Sequence, residues 1–532
     1  MPGKNTQKTN APKRKLALIA LTLVLQGCTS LNPTPLEYGE IQATAQRDRD
    51  TASENLEPIT GPISLSEAIA RGLKYNLDRR TRLMEEAIAM NQFDLSQYDM
   101  LPKLMASIGY RNRDEYATTS AEDSVTGAPS LSNPYISSAR EHTTADLGLT
   151  WNLLDFGLGY YTAKQSADRV MIASERRRKT MHLLIQDIRT AFWRAASAQK
   201  LREEVRSGIV MAESALADAR KAEAERLRSP LDALRYQRQV LENLRLLEAI
   251  EQELSTARLE LAHLINAPLA LDLKVVESDV VPNPRILELP VEDLETVAIA
   301  RNADLREQFY NTRIAQQETR KAMLRMFPSL NLSYTLKTDD DKYLVNQRWN
   351  EAGAQLSWNL LNLLTLPAQM RLADAGVALA DQRRISTQMA LLAQVHIARL
   401  QYSSALQQFG RADSIASVDS RISDHVKNRA EAQTQSKLEQ VANNTAAILS
   451  LLRRYQALAQ ANAAASKLQA SLGMEPEIGS VQDTSLEDLK QQIAEALARW
   501  NEGRLPEVDT PASQAIPAAE AEEAGSKDAK QG

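Results

Sequence analysis

The chain has 532 residues, a formal net charge of −5, and only 5% aromatic against 25% charged residues. That charge balance gives no electrostatic footprint for nucleic acid, and a single cysteine excludes an internal disulfide framework. The length would accommodate about three or four ordinary domains, but the abundance of Ala, Leu, Gln, Arg and Glu suits long helices.

Lys4, Lys8, Lys13, Arg14 and Lys15 form a basic start, and Leu16 to Leu25 is apolar. That run is about half of the ~20 residues a membrane-spanning helix needs, and it matches the core of a secretory signal. Leu25-Gln26-Gly27-Cys28 follows, and it resembles a lipobox. Residues 1–27 then read as a lipoprotein signal peptide and Cys28 as the lipidated (palmitate-bearing) new N-terminus; a buried cysteine after an odd apolar helix is the other reading. Thr29 stands where an inner-membrane retention Asp can occur, which favours the outer membrane. Residues 28–61 are polar with scattered Pro and Thr, and read as an extended lead from the anchor. No later segment has about 18 uninterrupted apolar residues.

Ser64 and Glu67 have capping-box spacing, and Ile69, Leu73, Leu77, Leu83, Ile88 and Leu95 carry one helix to about Met100, ended by Leu101-Pro102. A strand is expected next, with Leu104, Ala106, Ile108 and Tyr110 on one face. Residues 112 to 143 have loop chemistry. The returning strand is Ala145-Asp-Leu-Gly-Leu-Thr-Trp-Asn-Leu-Leu154, apolar at every second position, closed by Asp155-Phe156-Gly157. From about Tyr160 to Arg228 there is no proline and one glycine, Gly208, which predicts a helix about 100 Å long. Ser229-Pro230 breaks it, helix resumes to about Ile265, and Asn266-Ala267-Pro268 stops it.

The order then repeats. After a linker at 269–290, a helix over 291–326 ends at Phe327-Pro328. Leu330, Leu332, Tyr334 and Leu336 line one face of a strand, and a short charged loop leads to Ala352-Gly-Ala-Gln-Leu-Ser-Trp-Asn-Leu-Leu361. Pro367 is expected to open a helix running to about Gln435, and Ser436-Lys-Leu-Glu439 matches Ser229-Pro-Leu-Asp232. The strand and tip motifs recur at 352 − 145 = 207 and 436 − 229 = 207, whereas the prolines before the hairpins recur at 328 − 102 = 226. The first hairpin loop is therefore longer by 226 − 207 = 19 residues, slack that a loop tolerates. Residues 62–268 (hairpin 103–154) and 291–476 (hairpin 329–361) read as two repeats, 477–505 as a short helical segment around Leu486 to Trp500, and 506–532 as a disordered tail.

Strands of this length, greasy on one face and polar on the other, with aromatics at Tyr110, Trp151, Tyr334 and Trp358, suit a membrane sheet with an interfacial girdle. Leu149 and Leu356 would face lipid. No sheet edge can stay open in lipid, and four strands are too few to close a barrel, so the chain must pool strands with further copies of itself.

The duplicated helix–hairpin–long helix–turn–helix order, the Ser-Leu-Ser-Glu-Ala-Ile entry at 64–69, the paired Trp-Asn-Leu-Leu motifs and the turns at 229–234 and 436–441 resemble the TolC-like outer-membrane efflux protein family over about residues 62 to 476. The resemblance implies a mainly α protein with membrane β: a homotrimer whose twelve-stranded β-barrel continues into a periplasmic α-helical barrel, lipid-anchored in the outer membrane of a Gram-negative bacterium. It implies a passive duct for efflux or type I secretion, docked through the tip turns (Ser229, Pro230, Leu231, Ser436, Leu438) to a periplasmic adaptor (membrane fusion) protein and served by an inner-membrane transporter of the RND or ABC type. It also places a carboxylate gate at Glu439, with Asp232 at the equivalent first-repeat position; both also read as ordinary acids near a helix N-terminus. Gln435 and Ala442 stand where members can carry a tethering arginine and a second acid. A lipidated periplasmic coiled-coil scaffold without a pore is the alternative.

No enzyme constellation is present. His142, His182, His263, His396 and His425 form no HxxxH or HExxH pair, each reads as a surface or packing residue, and no metal or cofactor is expected. Asp339-Asp340-Asp341 reads as a solvated extracellular turn, a calcium loop being the lesser alternative, and Arg176-Arg-Arg-Lys179 as a solvated face near the membrane end.

Overall fold

The computed structural model describes residues 34–130, 134–225, 229–276, 281–431, 437–476, 478, 481 and 483–506. Residues up to Glu57 and residues from Pro58 onward form two separate units. In the first, Tyr38–Ser53 is a helix, α1, with Glu37 and Glu40 in a capping box. The extended lead expected here is thus corrected over 38–53. After Pro33 and Pro35 the sequence is rich in Glu, Gln, Ala and Arg, which favour helix.

The second unit opens with α2 (Leu65–Tyr75) and α3 (Leu77–Tyr98), where sequence periodicity suggested one helix. Asn76 breaks it: its backbone is extended (ψ 128), and its side chain accepts from Arg79 N. Its amide donates to the carbonyl of Leu264 at 3.0 Å. Strand β1 (Lys103–Asn112) follows, then a small hairpin of β2 (Ala117–Thr119) and β3 (Tyr135–Ser138) inside the expected loop. Next come β4 (Glu141–Asn152) and the 72-residue α4 (Leu153–Ala224). At ~1.5 Å per residue α4 is about 110 Å long. It starts inside the Trp-Asn-Leu-Leu motif, because the Asn152 side chain accepts from the amides of Leu154 and Asp155 and caps it. Asp155-Phe-Gly157 therefore belongs to the helix and does not close the hairpin.

Helix α5 (Pro230–Leu264) returns alongside α4. A 3-10 turn at Pro284–Leu287 leads to α6 (Val291–Arg301) and α7 (Ala303–Leu324). Asn302 divides these two as Asn76 divides α2 from α3: it caps Leu305 N, and its amide donates to the carbonyl of Ser471 at 3.2 Å. Strands β5 (Ser329–Asp339) and β6 (Arg348–Ser357) precede α8 (Asn362–Glu431), which contains Pro367 rather than opening at it. The proline leaves the Leu363 carbonyl without its helical donor. Last come α9 (Lys437–Ser471) and α10 (Leu486–Asn501).

The element bounds repeat almost to the residue. The starts of α6, α7 and β5 follow those of α2, α3 and β1 by 291 − 65 = 303 − 77 = 329 − 103 = 226. Helix α9 follows α5 by 437 − 230 = 471 − 264 = 207 at both ends. Their C-terminal stops match as well: Asn266 and Gly473 (473 − 266 = 207) both take positive φ, 52° and 66°. At Gly473 a Cβ would stand 2.5 Å from the Arg301 carbonyl oxygen, so this copy of the stop requires glycine.

No isolated helix of 70 residues holds itself together in water, so the long helices need lateral partners. Helix α4 packs on α3 and α7 and, further along, on α5 and α9; α8 packs on α7 and α9. Where the short helices meet the long ones, two cores form. Ile69, Leu73, Ile188, Leu261 and Ile265 are fully buried in the first repeat, and Leu294, Val395, Tyr402, Leu468 and Leu472 in the second. Each such Leu or Ile contributes about 1.5–3 kcal/mol. Helix α10 packs on α2, beside this junction.

Candidate functional site

The four long strands form one antiparallel sheet in the order β1-β4-β5-β6. Its register collects the apolar residues on one face: Leu104 lies opposite Leu149, Leu149 opposite Tyr334, and Tyr334 opposite Ala352. One row on, Ala106 faces Leu147 and Leu147 faces Leu336. This face is not the covered one. Leu104, Ile108, Tyr110, Leu147, Leu149, Leu332, Tyr334, Leu336 and Leu356 are all exposed, Ile108 at 82%. A soluble sheet hides that face; a large exposed apolar patch marks contact with another chain or with lipid.

The opposite face is polar. Ser107 reaches Asp146 across β1–β4, and Lys337 pairs with Glu351 at 2.7 Å across β5–β6. Three glycines on it sit opposite hydroxyl residues, Gly109 by Thr144, Gly148 by Thr335 and Gly353 by Ser333. At Gly353 a Cβ would come within 2.9 Å of the Ser333 hydroxyl. β1 and β6 are the sheet edges, and among the described residues neither has a partner on its outer side.

Of the aromatics singled out from sequence, Trp151 closes the helix-proximal end of β4 and meets Phe156 edge-on. Trp358 follows β6, and its Nε1 donates to the Met326 carbonyl at 3.0 Å. Tyr110 lies at the loop end of β1. Tyr334 is displaced from the expected girdle: it occupies the middle of β5, between Leu149 and Ala352. At the loop end of β6, sequence reading passed over Trp349, which stands opposite Lys337 and outside the alternation.

At the loop end of β5 the Asp339–Asp341 run ties the two hairpins together. Asp339 Oδ1 lies 2.8 Å from His142 Nδ1, and Asp340 accepts from Thr143 N. Asp341 is 2% exposed and accepts from the Ser138 hydroxyl and from Ala139 and Tyr343 backbone amides. Burial pushes its carboxyl up, but these donors outweigh burial and hold it below the usual carboxylate range. The expected solvated turn is therefore corrected for Asp341, whose carboxylate is committed to protein donors.

The basic run at 176–179 is corrected too. It lies about 35 Å along α4 from the sheet, level with the α6–α7 junction, and each member holds a different carboxylate. Arg176 pairs with Glu307, Arg177 with Glu86 and Lys179 with Asp304. Arg178 grips Glu475 with Nε and Nη2, bonds Glu175 at 2.5 Å and reaches the Arg301 carbonyl. The run clamps α4 to α3, to α7 and to the chain just past α9. Glu475 is pushed up by burial yet held at about 2 by His182 and Arg178. His182 Nε2 stands 3.6 Å away, beyond hydrogen-bond reach, so we attribute the lowering to Arg178.

At the far end of the helices, Ser229 precedes α5 and its carbonyl accepts from Ala233 N. Pro230 is the first helical residue, Leu231 is exposed, and Asp232 lies in the first turn, 3.9 Å from Arg235. Glu439 holds the equivalent place in α9 and is exposed. Cys28, Gln435, Ser436 and the tail from 507 lie outside the described residues, as does the side chain of Leu438.

A four-stranded sheet with an exposed apolar face, set on helices of about 110 Å in a duplicated chain, is a fold that this chain shares with solved outer-membrane channels. The Campylobacter jejuni CmeC outer membrane channel aligns with a TM-score of 0.62 and 11% identity, over 87% of this chain and 98% of its own. The outer membrane protein VceC from Vibrio cholerae gives 0.58 and 13%, over 77% and 97%. The open-state Neisseria gonorrhoeae MtrE outer membrane channel gives 0.58 and 16%, over 79% and 90%. No protein-family model matches the chain, and no curated protein matches it in sequence.

Proposed function

We propose that the chain is the outer-membrane channel-tunnel of a tripartite efflux or type I secretion system. It forms a passive duct without covalent chemistry. The observation that carries this reading is the exposed apolar face of a sheet with two open edges. In lipid the apolar face is favourable but the edges are not. Pairing β6 of one copy with β1 of the next removes every edge, and three copies of four strands give a twelve-stranded barrel. The polar face, with Ser107, Asp146, Lys337 and Glu351, then lines water. The pore-free scaffold has no use for that apolar face.

In this reading Cys28 carries the lipid anchor, and the tip turns from Ser229 to Leu231 and from Ser436 to Leu438 meet the adaptor. The adaptor links the duct to an RND or ABC transporter. Glu439 carboxylates, three to a trimer, converge on the axis, with Asp232 beside them, and favour cations over anions. The purified protein in planar bilayers should conduct, and Glu439→Ala should raise single-channel conductance or weaken cation selectivity. Absence of conductance in the unsubstituted protein would defeat the channel; an unchanged Glu439→Ala would defeat only the gate.

A further inference from the structure

At the loop end of the sheet, three chain segments converge on the Tyr116 ring. Tyr116 lies between β1 and β2, Arg140 between β3 and β4, and Lys342 and Tyr343 between β5 and β6. The Arg140 guanidinium stands 5.2 Å from the Tyr116 ring centre and the Lys342 ammonium 5.8 Å. Lys342 also lies 5.0 Å from the ring of Tyr343, which meets Tyr116 edge-on at 6.3 Å. The rings hold the two cations by cation–π attraction yet leave them in water: Arg140 and Lys342 are exposed, and Tyr116 and Tyr343 are 41% and 38% exposed.

These groups are fixed in place. The buried Asp341 carboxylate takes Ser138 and Ala139 on one side and the Tyr343 amide on the other, and so sets Lys342 and Tyr343 against the end of β3. Arg140 Nη1 donates to the Asp114 carbonyl at 3.3 Å. A third cation adjoins. Arg113 N donates to the Arg140 carbonyl at 2.8 Å, which extends the β1–β4 ladder by one pair and sets the two arginines opposite each other. Like charges so opposed are destabilising. Among the described residues none of the three cations forms an ion pair. Asp339, Asp340 and Glu141 are committed to His142, Thr143 N and Asn112, and Asp114 and Glu115, in the same turn, pair with none of the three. Residues 131–133, outside the described set, are Leu, Ser and Asn and add no charge.

We infer that this cluster binds a phosphate monoester group presented at the loop end of the sheet. Two guanidiniums and an ammonium supply the positive charge that a dianion needs, and a guanidinium matches phosphate oxygens two at a time. A bound dianion also offsets the repulsion between Arg113 and Arg140, for which a carboxylate carries half the charge. The group belongs either to a soluble sugar phosphate or to a lipid headgroup, and the chemistry at the cluster is the same for both. All the residues come from one chain, so the site does not rest on the duct reading.

The test is calorimetric titration of full-length protein in detergent with two phosphate probes, glucose 6-phosphate and a short-chain phosphatidate, and with glucose and the matching diacylglycerol as their unphosphorylated controls. The expected result is saturable binding of at least one phosphate probe, one per chain, and at least tenfold weaker binding of its control. Binding of glucose 6-phosphate identifies a soluble ligand, and binding of phosphatidate alone a lipid headgroup. Arg140→Gln should weaken the bound probe by at least tenfold, ~1.4 kcal/mol. That variant also frees the Asp114 carbonyl, so Lys342→Gln, which leaves that bond in place, is the second and should weaken the probe likewise. No saturable binding of either phosphate probe, equal binding of a probe and its control, or full binding by either variant would overturn the proposal.

Discussion

Glu475→Gln is the most informative single substitution, because it removes one charge from the clamp that joins the two repeats. Glu475 lies just past α9, and its carboxylate takes Arg178 Nε on both oxygens at 3.1 Å. Its ordinary value of 4.5 falls to about 2 in the folded chain. At ~1.4 kcal/mol per pH unit, that gap sets an upper limit of about 3 kcal/mol on the stability linked to this proton. With His182 too distant to hydrogen-bond, we expect about 2 kcal/mol. A folded value below the unfolded one means that the stabilisation is present above pH 4.5 and is lost as pH falls toward 2. The assay is urea denaturation followed by helical circular dichroism, for wild type and variant, from about pH 7 down to about pH 3. The wild type should lead by about 2 kcal/mol at neutral pH and converge on the variant below pH 4.5. A gap that does not change with pH, or none at neutral pH, would refute the assignment of Glu475 as a paired carboxylate.

Leu149→Arg places a charge on the apolar face between Leu104 and Tyr334; if that face meets lipid it costs about 2–4 kcal/mol, and outer-membrane trimer yield should collapse, whereas normal assembly would count against the barrel. Asn76→Ala and Asn302→Ala each remove a helix cap and orphan a carbonyl, and each should cost about 1–2 kcal/mol in urea denaturation; a neutral result at both would show that the breaks do not need them. Gly473→Ala puts a Cβ 2.5 Å from the Arg301 oxygen at a φ of 66° and should cost about 1–3 kcal/mol, more than Asn266→Ala at the equivalent stop of the first repeat; equal losses would remove the special role given to the glycine.

Much of the architecture is legible because it is written in periodicity. Alternation in Leu104–Tyr110 and in Ala145–Trp151 marks strands and their faces without any knowledge of partners. The absence of proline from 160 to 228 marks a helix too long to stand alone. The offsets of 226 and 207 reappear in the element bounds to the residue. The two missed helix breaks share one cause. Helix periodicity runs straight through Asn76 and Asn302, and only the carbonyls of Leu264 and Ser471, distant in sequence, make a break favourable there. The pair Asn76-Leu-Asp78 and Asn302-Ala-Asp304 was the available signal.

Charge is harder to read than hydrophobicity. Arg176 to Lys179 looks like a wet face because its partners, Glu86, Asp304, Glu307 and Glu475, are scattered widely along the chain. Likewise Asp341 looks like a surface turn acid until Ser138 and Ala139 close over it, and Arg189 looks like one more helix-surface cation until α9 and Tyr402 bury it.

The sequence by itself determined the long helices and the four long strands, the duplication and which side of each strand is greasy, since these follow from local spacing along one chain. Tertiary structure alone decided that the greasy sides share one exposed face, because register between strands sets it. It also decided where the helices break and which charges are paired, because those depend on groups that only folding brings within hydrogen-bond distance.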